Sequence, residues 1–273
     1  MQHFKQKIQK YNRRMIISGN VLEKYNYERT IVQGRSKKSI GRANQHKTSN
    51  EVKKINRSKT AFRAKTMIRR TANANADTLT KFFTLTFAKN ITDIDIANYE
   101  FEKFVKRLKT VFCPLLYIKV IEFQKRGAIH FHLLCNLPFI EANKLSQIWG
   151  NGFVKINRID NVDNIGAYLT KYMTKDNIDE RLIGKKSYSM SKGLKKPVTI
   201  TDEEEIEEIA LSLENVTRVY TTAFDSEYLG KVEYTQIVCN DFILPNYQRK
   251  RRARTSLNPK LDAFYDDSDN PFL

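Results

Sequence analysis

The chain has 273 residues, of which 41% are hydrophobic, enough for one large domain or for a core domain with appendages. It contains no run of eighteen apolar residues, and its N-terminus lacks the apolar stretch of a secretory signal, which argues against a membrane-spanning or secreted protein. The three cysteines, Cys113, Cys135 and Cys239, are widely spaced and odd in number, so we expect reduced thiols in a cytoplasmic protein.

The positive charge is concentrated at the front of the chain. Residues 1–75 hold 20 Lys and Arg against 3 Asp and Glu, whereas the rest hold 28 against 27, and the formal net charge is +18. Such a segment attracts a polyanion through counterion release, which favours nucleic acid as the partner. A mobile, solvated arm is the compatible alternative. We predict a basic N-terminal arm over residues 1–58, helical in part because apolar residues recur at helical spacing from about residue 51.

A half-buried strand is predicted at "KFFTLTFAK", where Phe83, Leu85 and Phe87 alternate with threonines. The next segment, "DIANYEFEKFVKRLKTVF", places its large apolar residues on one helical face. Asp93 or Asp95 is a suitable N-cap for this helix.

Further elements complete a core domain that we expect over residues 59–200. They are strands at 115–124 and 128–135, a short helix from 141 to about 148, a strand at 152–159, and a helix capped by Asn161 or Asp163 that runs to about 175. This order predicts an α+β fold, with an antiparallel sheet and helices packed on one of its faces.

The C-terminal part is predicted to contain an acidic helix at about 202–214 and a hairpin that turns at residues 225–230. Together they form an extension over residues 201–246. The tail, 247–273, is predicted to be disordered. Its end, "DDSDNPFL", is similar to the acidic tails of bacterial single-stranded DNA-binding proteins, although Leu273 follows the phenylalanine; a generic acidic tail is the competing interpretation.

The stretch "YIKVIEFQKRGAIHFHLLCN" predicts a β-hairpin with a known register. The loop 125–127 ends in Gly127, which suits the left-handed position of a three-residue turn. Gln124 then lies opposite Ala128, and Glu122 lies opposite His130. This register puts a carboxylate beside an imidazole on neighbouring strands.

Side chains alternate across a strand, so Glu122, His130 and His132 share one face of this hairpin. The opposite face is apolar and should pack against helices, which leaves the imidazoles on the far side of the sheet. Cross-strand neighbours lie about 4.5–5.5 Å apart at Cβ, close enough to ligate one ion together. Two imidazoles and one carboxylate suit a divalent metal with open coordination positions. Two surface histidines on a polar face are the alternative.

The segment "YLTKYMTK" carries two tyrosines, Tyr168 and Tyr172, four residues apart and therefore on one helical face. Lys171 and Lys175 each follow a tyrosine by three residues. A tyrosine can act as a nucleophile when its phenolate is stabilised, and nearby ammonium groups favour that charged form. The alternative is the edge of an amphipathic core with solvated lysines.

Three motifs in this order resemble those of the HUH-type rolling-circle replication initiators of plasmids and single-stranded DNA phages. "FFTLTF" is similar to the first motif, "EFQKRGAIHFHLL" to the second and "YLTKYMTK" to the third. The resemblance covers about residues 60–200. It implies the HUH endonuclease fold, with a five-stranded antiparallel sheet of the kind found in RNA-recognition and ferredoxin-like domains. It also implies a nickase that cuts one strand of origin DNA and stays bound to the new 5′ end through a phosphotyrosine.

The resemblance implies roles for particular residues. His130, His132 and Glu122 would bind a divalent metal, Mn²⁺ or Mg²⁺; Tyr168 would be the first nucleophile and Tyr172 a second. Lys171 would orient the phosphate or stabilise charge. Residues that could hold the single strand by phosphate contact and stacking are Lys175, Lys185, Lys186, Tyr188, Lys192, Lys195 and Lys196.

The expected partner is single-stranded or origin DNA, with a host helicase and a single-stranded DNA-binding protein as further candidates and no membrane. Two alternatives remain open. A transposase or relaxase would use the same metal and tyrosine chemistry for DNA transfer, and a non-catalytic nucleic-acid-binding protein would use the sheet for binding alone.

Overall fold

The computed structural model describes residues 8–34, 50–159, 162–173, 180–182, 185–240 and 242. The strands are β1 (Gln9–Ser18), β2 (Val21–Gln33), β3 (Lys81–Leu85), β4 (Tyr117–Phe123), β5 (Ile129–Cys135), β6 (Val154–Asn157), β7 (Tyr188–Met190), β8 (Val198–Ile200), β9 (Val216–Ser226) and β10 (Gly230–Cys239). The α-helices are α1 (Asn50–Asn73), α2 (Ile94–Val111), α3 (Ala142–Trp149), α4 (Ile165–Thr170) and α5 (Glu203–Leu211), and a 3₁₀ turn spans Glu180–Leu182.

The chain forms two compact units. Residues 1–63 and 198–273 belong to the first, and residues 64–197 belong to the second. Each unit contains one five-stranded sheet, in the order β8–β1–β2–β10–β9 in the first and β6–β3–β5–β4–β7 in the second, and every described pairing is antiparallel. The predicted α+β class is confirmed, and the sequence-based boundaries 59–200 fall within a few residues of the second unit.

The N-terminal segment differs from the partly helical arm that its charge suggested. Residues 9–33 form the hairpin β1–β2, which turns at Gly19 and Asn20 and has Gly19 at φ 61°. Met15, Ile17 and Leu22 are buried against α5 residues in an apolar cluster. The net charge concealed this short alternation, because a strand needs an apolar residue only at every second position.

The predicted C-terminal helix and hairpin are present as α5 and β9–β10, with the turn at residues 227–229. Strand β10 pairs with β2 along most of its length, from Val232 opposite Tyr27 to Val238 opposite Val21. The extension is therefore part of the same sheet as the N-terminal hairpin. The predicted disordered tail, 247–273, lies outside the described residues.

Both faces of the second sheet carry helices. Helices α2 and α3 pack on the face that includes Phe83, Phe131 and Leu133, as predicted. The opposite face was expected to be free of helices, but Ile68 of α1 and Leu169 of α4 are fully buried there in a second cluster. Phe82, Ile118, Val120 and Leu134 supply the apolar residues that these two helices cover.

The start of α2 follows its sequence signal. The Asp93 carboxylate accepts hydrogen bonds from the backbone amides of Asp95 and Ile96, at 2.7 and 3.1 Å, so Asp93 is the N-cap. None of the helices in the described part of the chain is long and apolar enough to cross a membrane.

Candidate active site

The β4–β5 hairpin has the register that the sequence predicted. Glu122 lies opposite His130, and the backbone amide of Gln124 donates to the carbonyl of Ala128 at 2.9 Å. Gly127 takes a left-handed conformation, with φ 87°. Glu122 and both histidines consequently belong to the face of the second sheet opposite the α2–α3 core, which we call the site face.

His132 is held from both sides of its ring. Its Nε2 lies 2.7 Å from a carboxylate oxygen of Glu122, and its Nδ1 lies 3.1 Å from the hydroxyl of Thr84 on the neighbouring strand β3. The side chain is only 3% exposed, so the alternative of a surface histidine on a polar face is wrong for His132. These two contacts fix the plane of the imidazole before any ligand binds.

The charges of the site influence one another. The hydrogen bond with His132 holds the pKa of the Glu122 carboxyl below its ordinary value, against the effect of burial. Partial burial lowers the pKa of His130, which Glu122 opposes. Glu122 is thus ionised and His130 is neutral near pH 7, the protonation states that metal ligation requires.

The donor set of Glu122, His130 and His132 fits a divalent cation. Ligands at about 2.1 Å in adjacent octahedral positions lie about 3 Å apart, close to the 2.7 Å between Glu122 Oε2 and His132 Nε2. Within the described residues, however, no three His, Cys, Asp or Glu side chains already stand in a ligating group. The Glu122–His132 hydrogen bond therefore occupies the position at which an ion would separate the two side chains.

The tyrosine helix is shorter than predicted. Its N-cap is Asn164, whose side-chain oxygen accepts from the amide of Ala167 at 2.9 Å, so the expected caps, Asn161 and Asp163, were wrong. The helix ends at Thr170, and the chain continues in a turn through Tyr172. Lys175 lies outside the described residues.

The two tyrosines nevertheless meet at the site face. The Tyr172 ring stacks on His132 with 3.7 Å between centroids and 20° between planes. Its hydroxyl donates to that of Tyr168 at 3.4 Å, and Tyr168 meets Phe82 edge-on at 5.1 Å. Tyr172 thus covers the imidazole that binds Glu122, and Tyr168 stands beside it.

Lys171 places its ammonium 3.7 Å from the ring centroid of Tyr168 and 4.9 Å from that of Tyr172. The expectation that nearby ammonium groups would favour the phenolate is incomplete. Burial, with the hydrogen bond from Tyr172, raises the pKa of Tyr168, and the opposing effect of Lys171 is smaller. In this conformation Tyr168 is a neutral phenol.

A buried asparagine attaches the tyrosine helix to α1. The Asn73 side chain accepts from the backbone amide of Gly166 at 2.7 Å and donates to the side-chain oxygen of Asn164 at 2.9 Å. A Cβ at Gly166 would lie 2.1 Å from the carbonyl oxygen of Arg69, so only glycine allows this approach of the two helices. These contacts set the position from which Tyr168 and Tyr172 reach the sheet.

A second buried asparagine, two residues on, holds the basic segment. Asn75 donates to the carbonyl of Lys195 at 2.9 Å and accepts from its amide at 2.8 Å. The Lys195 ammonium lies 2.5 Å from Asp77, and that of Lys185 lies 2.6 Å from Asp95; both pairs are largely exposed. Exposed pairs are weak, so both lysines remain available to a polyanion.

The other predicted DNA-contact residues divide into two groups. Tyr188 lies opposite Val120 on β7 and packs partly buried against the cluster beneath α4, where burial raises its pKa. Lys186, Lys192 and Lys196 are exposed.

The residues that sequence reasoning missed act through positions distant in the chain. Thr84 orients His132, Asn157 forms a hydrogen bond with Tyr168, and Asn73 anchors α4. Thr84 had a signal, since its side chain alternates with the buried Phe83 and Leu85. Asn73 and Asn157 had none, because an isolated asparagine in a polar segment is typical of an exposed position.

The comparisons with known proteins agree with this placement. Residues 80–177 match a family model described as replication-associated protein, of the ORF2 family, a segment of just over a third of the chain that runs from β3 beyond α4. The match supports a replication initiator, the class that the order of the motifs predicted. No curated protein and no solved structure gives a significant match.

Proposed function

We propose that the chain is a rolling-circle replication initiator that nicks one strand of origin DNA and becomes joined to its 5′ end through a phosphotyrosine. One observation carries the proposal: Tyr172, hydrogen-bonded to Tyr168, stacks directly on the imidazole that binds Glu122. A nucleophile and a metal-ligand set come together inside the segment that matches the replication-associated family.

Glu122, His130 and His132 are the residues that would hold a divalent ion, Mn²⁺ or Mg²⁺. When bound there, such an ion would neutralise charge on a non-bridging phosphate oxygen. Thr84 keeps His132 in the orientation that points Nε2 toward Glu122, and it thereby prepares the ligand set.

Tyr168 is the proposed first nucleophile. Its oxygen forms a bond to phosphorus while the bond from phosphorus to the 3′ oxygen breaks. The phenolic proton leaves to solvent and the 3′ oxygen takes up a proton, so the products are a tyrosyl ester and a free 3′ hydroxyl. The ester retains the bond energy, and a later 3′ hydroxyl reverses the step without ATP.

Lys171 and Tyr172 support this step in the proposal. The Lys171 ammonium lies over the Tyr168 ring, where it favours negative charge on the phenol as its proton leaves. Tyr172 must move off His132 for a phosphate to reach that side of the sheet. Once moved, it is placed to act as a second nucleophile in rejoining.

The test is the formation of a protein–DNA adduct that survives SDS. The full chain is incubated with Mn²⁺ and a pool of single-stranded oligonucleotides from a candidate origin, and the modified tyrosine is identified by mass spectrometry. We expect an adduct on Tyr168 that Tyr168→Phe abolishes. Glu122→Gln should lower the yield by about 10² or more, since it weakens a charged ligand.

Tyr99→Phe is the matched control. Tyr99 is an exposed tyrosine on α2 with the Lys103 ammonium 4.4 Å from its ring centroid, so it shares the tyrosine–lysine contact but not the site. Its adduct yield should equal that of the unmodified chain. No adduct with Mn²⁺ present, or equal yields from Tyr168→Phe and Tyr99→Phe, would overturn the nickase proposal.

A further inference from the structure

The edge strand β6 presents side chains on the site face. Lys155 lies opposite Thr84, and Thr84 lies opposite His132, so the three residues form one row across β6, β3 and β5. Neighbouring strands are about 4.8 Å apart, which places β6 about 10 Å from the strand of His132. The Lys155 side chain is exposed.

Phe153 immediately precedes β6 and shares this orientation. The residue between them, Val154, is 2% exposed and packs in the α2–α3 core, so Phe153 and Lys155 project from the opposite side of the strand. The Phe153 ring is 67% exposed although aromatic rings are usually among the best-buried side chains.

The backbone that carries this ring is held firmly. The carbonyl of Phe153 accepts from both the amide and the hydroxyl of Thr86, each at 3.0 Å. Gly152 approaches β3 so closely that a Cβ would lie 2.5 Å from the Thr86 carbonyl oxygen. Phe153 is therefore an exposed aromatic platform on a fixed strand.

The other end of β6 reaches the candidate nucleophile. Asn157 lies opposite Phe82 and forms a side-chain hydrogen bond with Tyr168. Along the site face of this strand, an aromatic ring, an ammonium group and a tyrosine contact follow one another. The second unit also holds 23 Lys and Arg against 12 Asp and Glu.

We propose that this strip, Phe153 and Lys155, binds the single DNA strand next to the phosphate that Tyr168 attacks. Phe153 stacks on one base, and Lys155 contacts a backbone phosphate between that base and Tyr168. Aromatic stacking combined with a basic groove is the common means of holding single-stranded nucleic acid without reading its sequence. The inference rests on the proposed function for the identity of the strand.

Equilibrium binding tests the strip independently of cleavage. A fluorescent oligothymidylate is titrated with the full chain carrying Tyr168→Phe, without divalent metal, and anisotropy is recorded over a range of salt concentrations. Phe153→Ala should weaken binding about tenfold, and Phe153→Trp should retain it. Lys155→Ala should reduce the slope of log affinity against log salt by about 0.7, the value for one phosphate contact on a single strand.

Phe139→Ala is the matched control, because Phe139 is 84% exposed and lies in the loop after β5, away from β6. It should bind as the parent does. Equal affinities for Phe153→Ala and Phe139→Ala would overturn the inference and leave the exposed ring to a protein partner. If Phe153→Ala fails to fold, an unchanged salt slope in Lys155→Ala still overturns it. A chain that binds in this way yet forms no adduct would refute the nickase proposal alone.

Discussion

The two faces of the second sheet are both covered by helices, yet they are built differently. On the α2–α3 face, aromatic rings pack edge to face around Trp149, with centroid distances of 5.1 Å to Phe87 and 5.4 Å to Phe104. On the site face, the aromatic rings of Tyr168 and Tyr172 alternate with groups that hydrogen-bond in specific directions.

The comparison teaches where polar groups are tolerated. Every polar contact on the site face involves a partner at a set angle, so the face is fixed in geometry at some cost in burial. The core face relies on shape and area, which tolerate no ion. Lys119 is the exception, because it lies on the core face and is 3% exposed.

Replacing Lys119 offers the largest test of this contrast. Its ammonium contacts the rings of Phe101 and Phe131 at 4.5 Å and donates to Asn98 at 2.6 Å, yet burial lowers its pKa to about 7. Below pH 7 the buried ion destabilises the fold, so Lys119→Met should raise the free energy of unfolding by up to about 4 kcal/mol.

The sign of the pH dependence follows from the lowered pKa. Between about pH 7 and pH 10.5, the folded chain has released the Lys119 proton while the unfolded chain keeps it, so the parent gains stability as pH rises. The advantage of Lys119→Met should therefore shrink by about 1.4 kcal/mol per pH unit. Urea unfolding followed by fluorescence of Trp149, the single tryptophan, measures it; exposed Lys106→Met is the control. A constant difference from pH 6 to 10 would contradict the explanation.

Gly166→Ala tests the attachment of the site face. The new Cβ would press on backbone atoms of Arg69, so we expect a loss of about 3 kcal/mol in the free energy of unfolding. Adduct formation should fall as well, since α4 carries Tyr168. Ala167→Met, one position along on the exposed side, should change neither quantity; an equal effect of the two variants would show that α4 docks in another way.

Asn73→Ala and Asn75→Ala separate the two segments that join the end of α1. Each removes a buried amide with two or more partners and should cost about 2 kcal/mol of stability. Asn73→Ala should slow adduct formation at saturating oligonucleotide, because it frees the tyrosine helix. Asn75→Ala should weaken oligonucleotide binding instead, because it frees the loop at Lys195. The same kinetic defect in both variants would contradict this division.

Much of the site could be predicted from the sequence because its pattern is local. Strand alternation and the loop at Gly127 fixed the pairing of Glu122 with His130, and the capping position of Asp93 set the start of α2. Such features depend on residues within one turn or one hairpin. The spacing of Tyr168 and Tyr172 likewise identified the segment, although α4 ends before Tyr172.

The tertiary structure alone decided which distant segments meet. It stacked Tyr172 on His132, bound Asn73 to the start of α4, and placed Lys155 in the same row as Thr84. It also paired the N-terminal hairpin with β10, which lies some two hundred residues further along. A two- or 3.6-residue period determines which way a side chain faces on its own element; which element it then meets depends on non-local pairing and packing, which no short stretch of sequence contains.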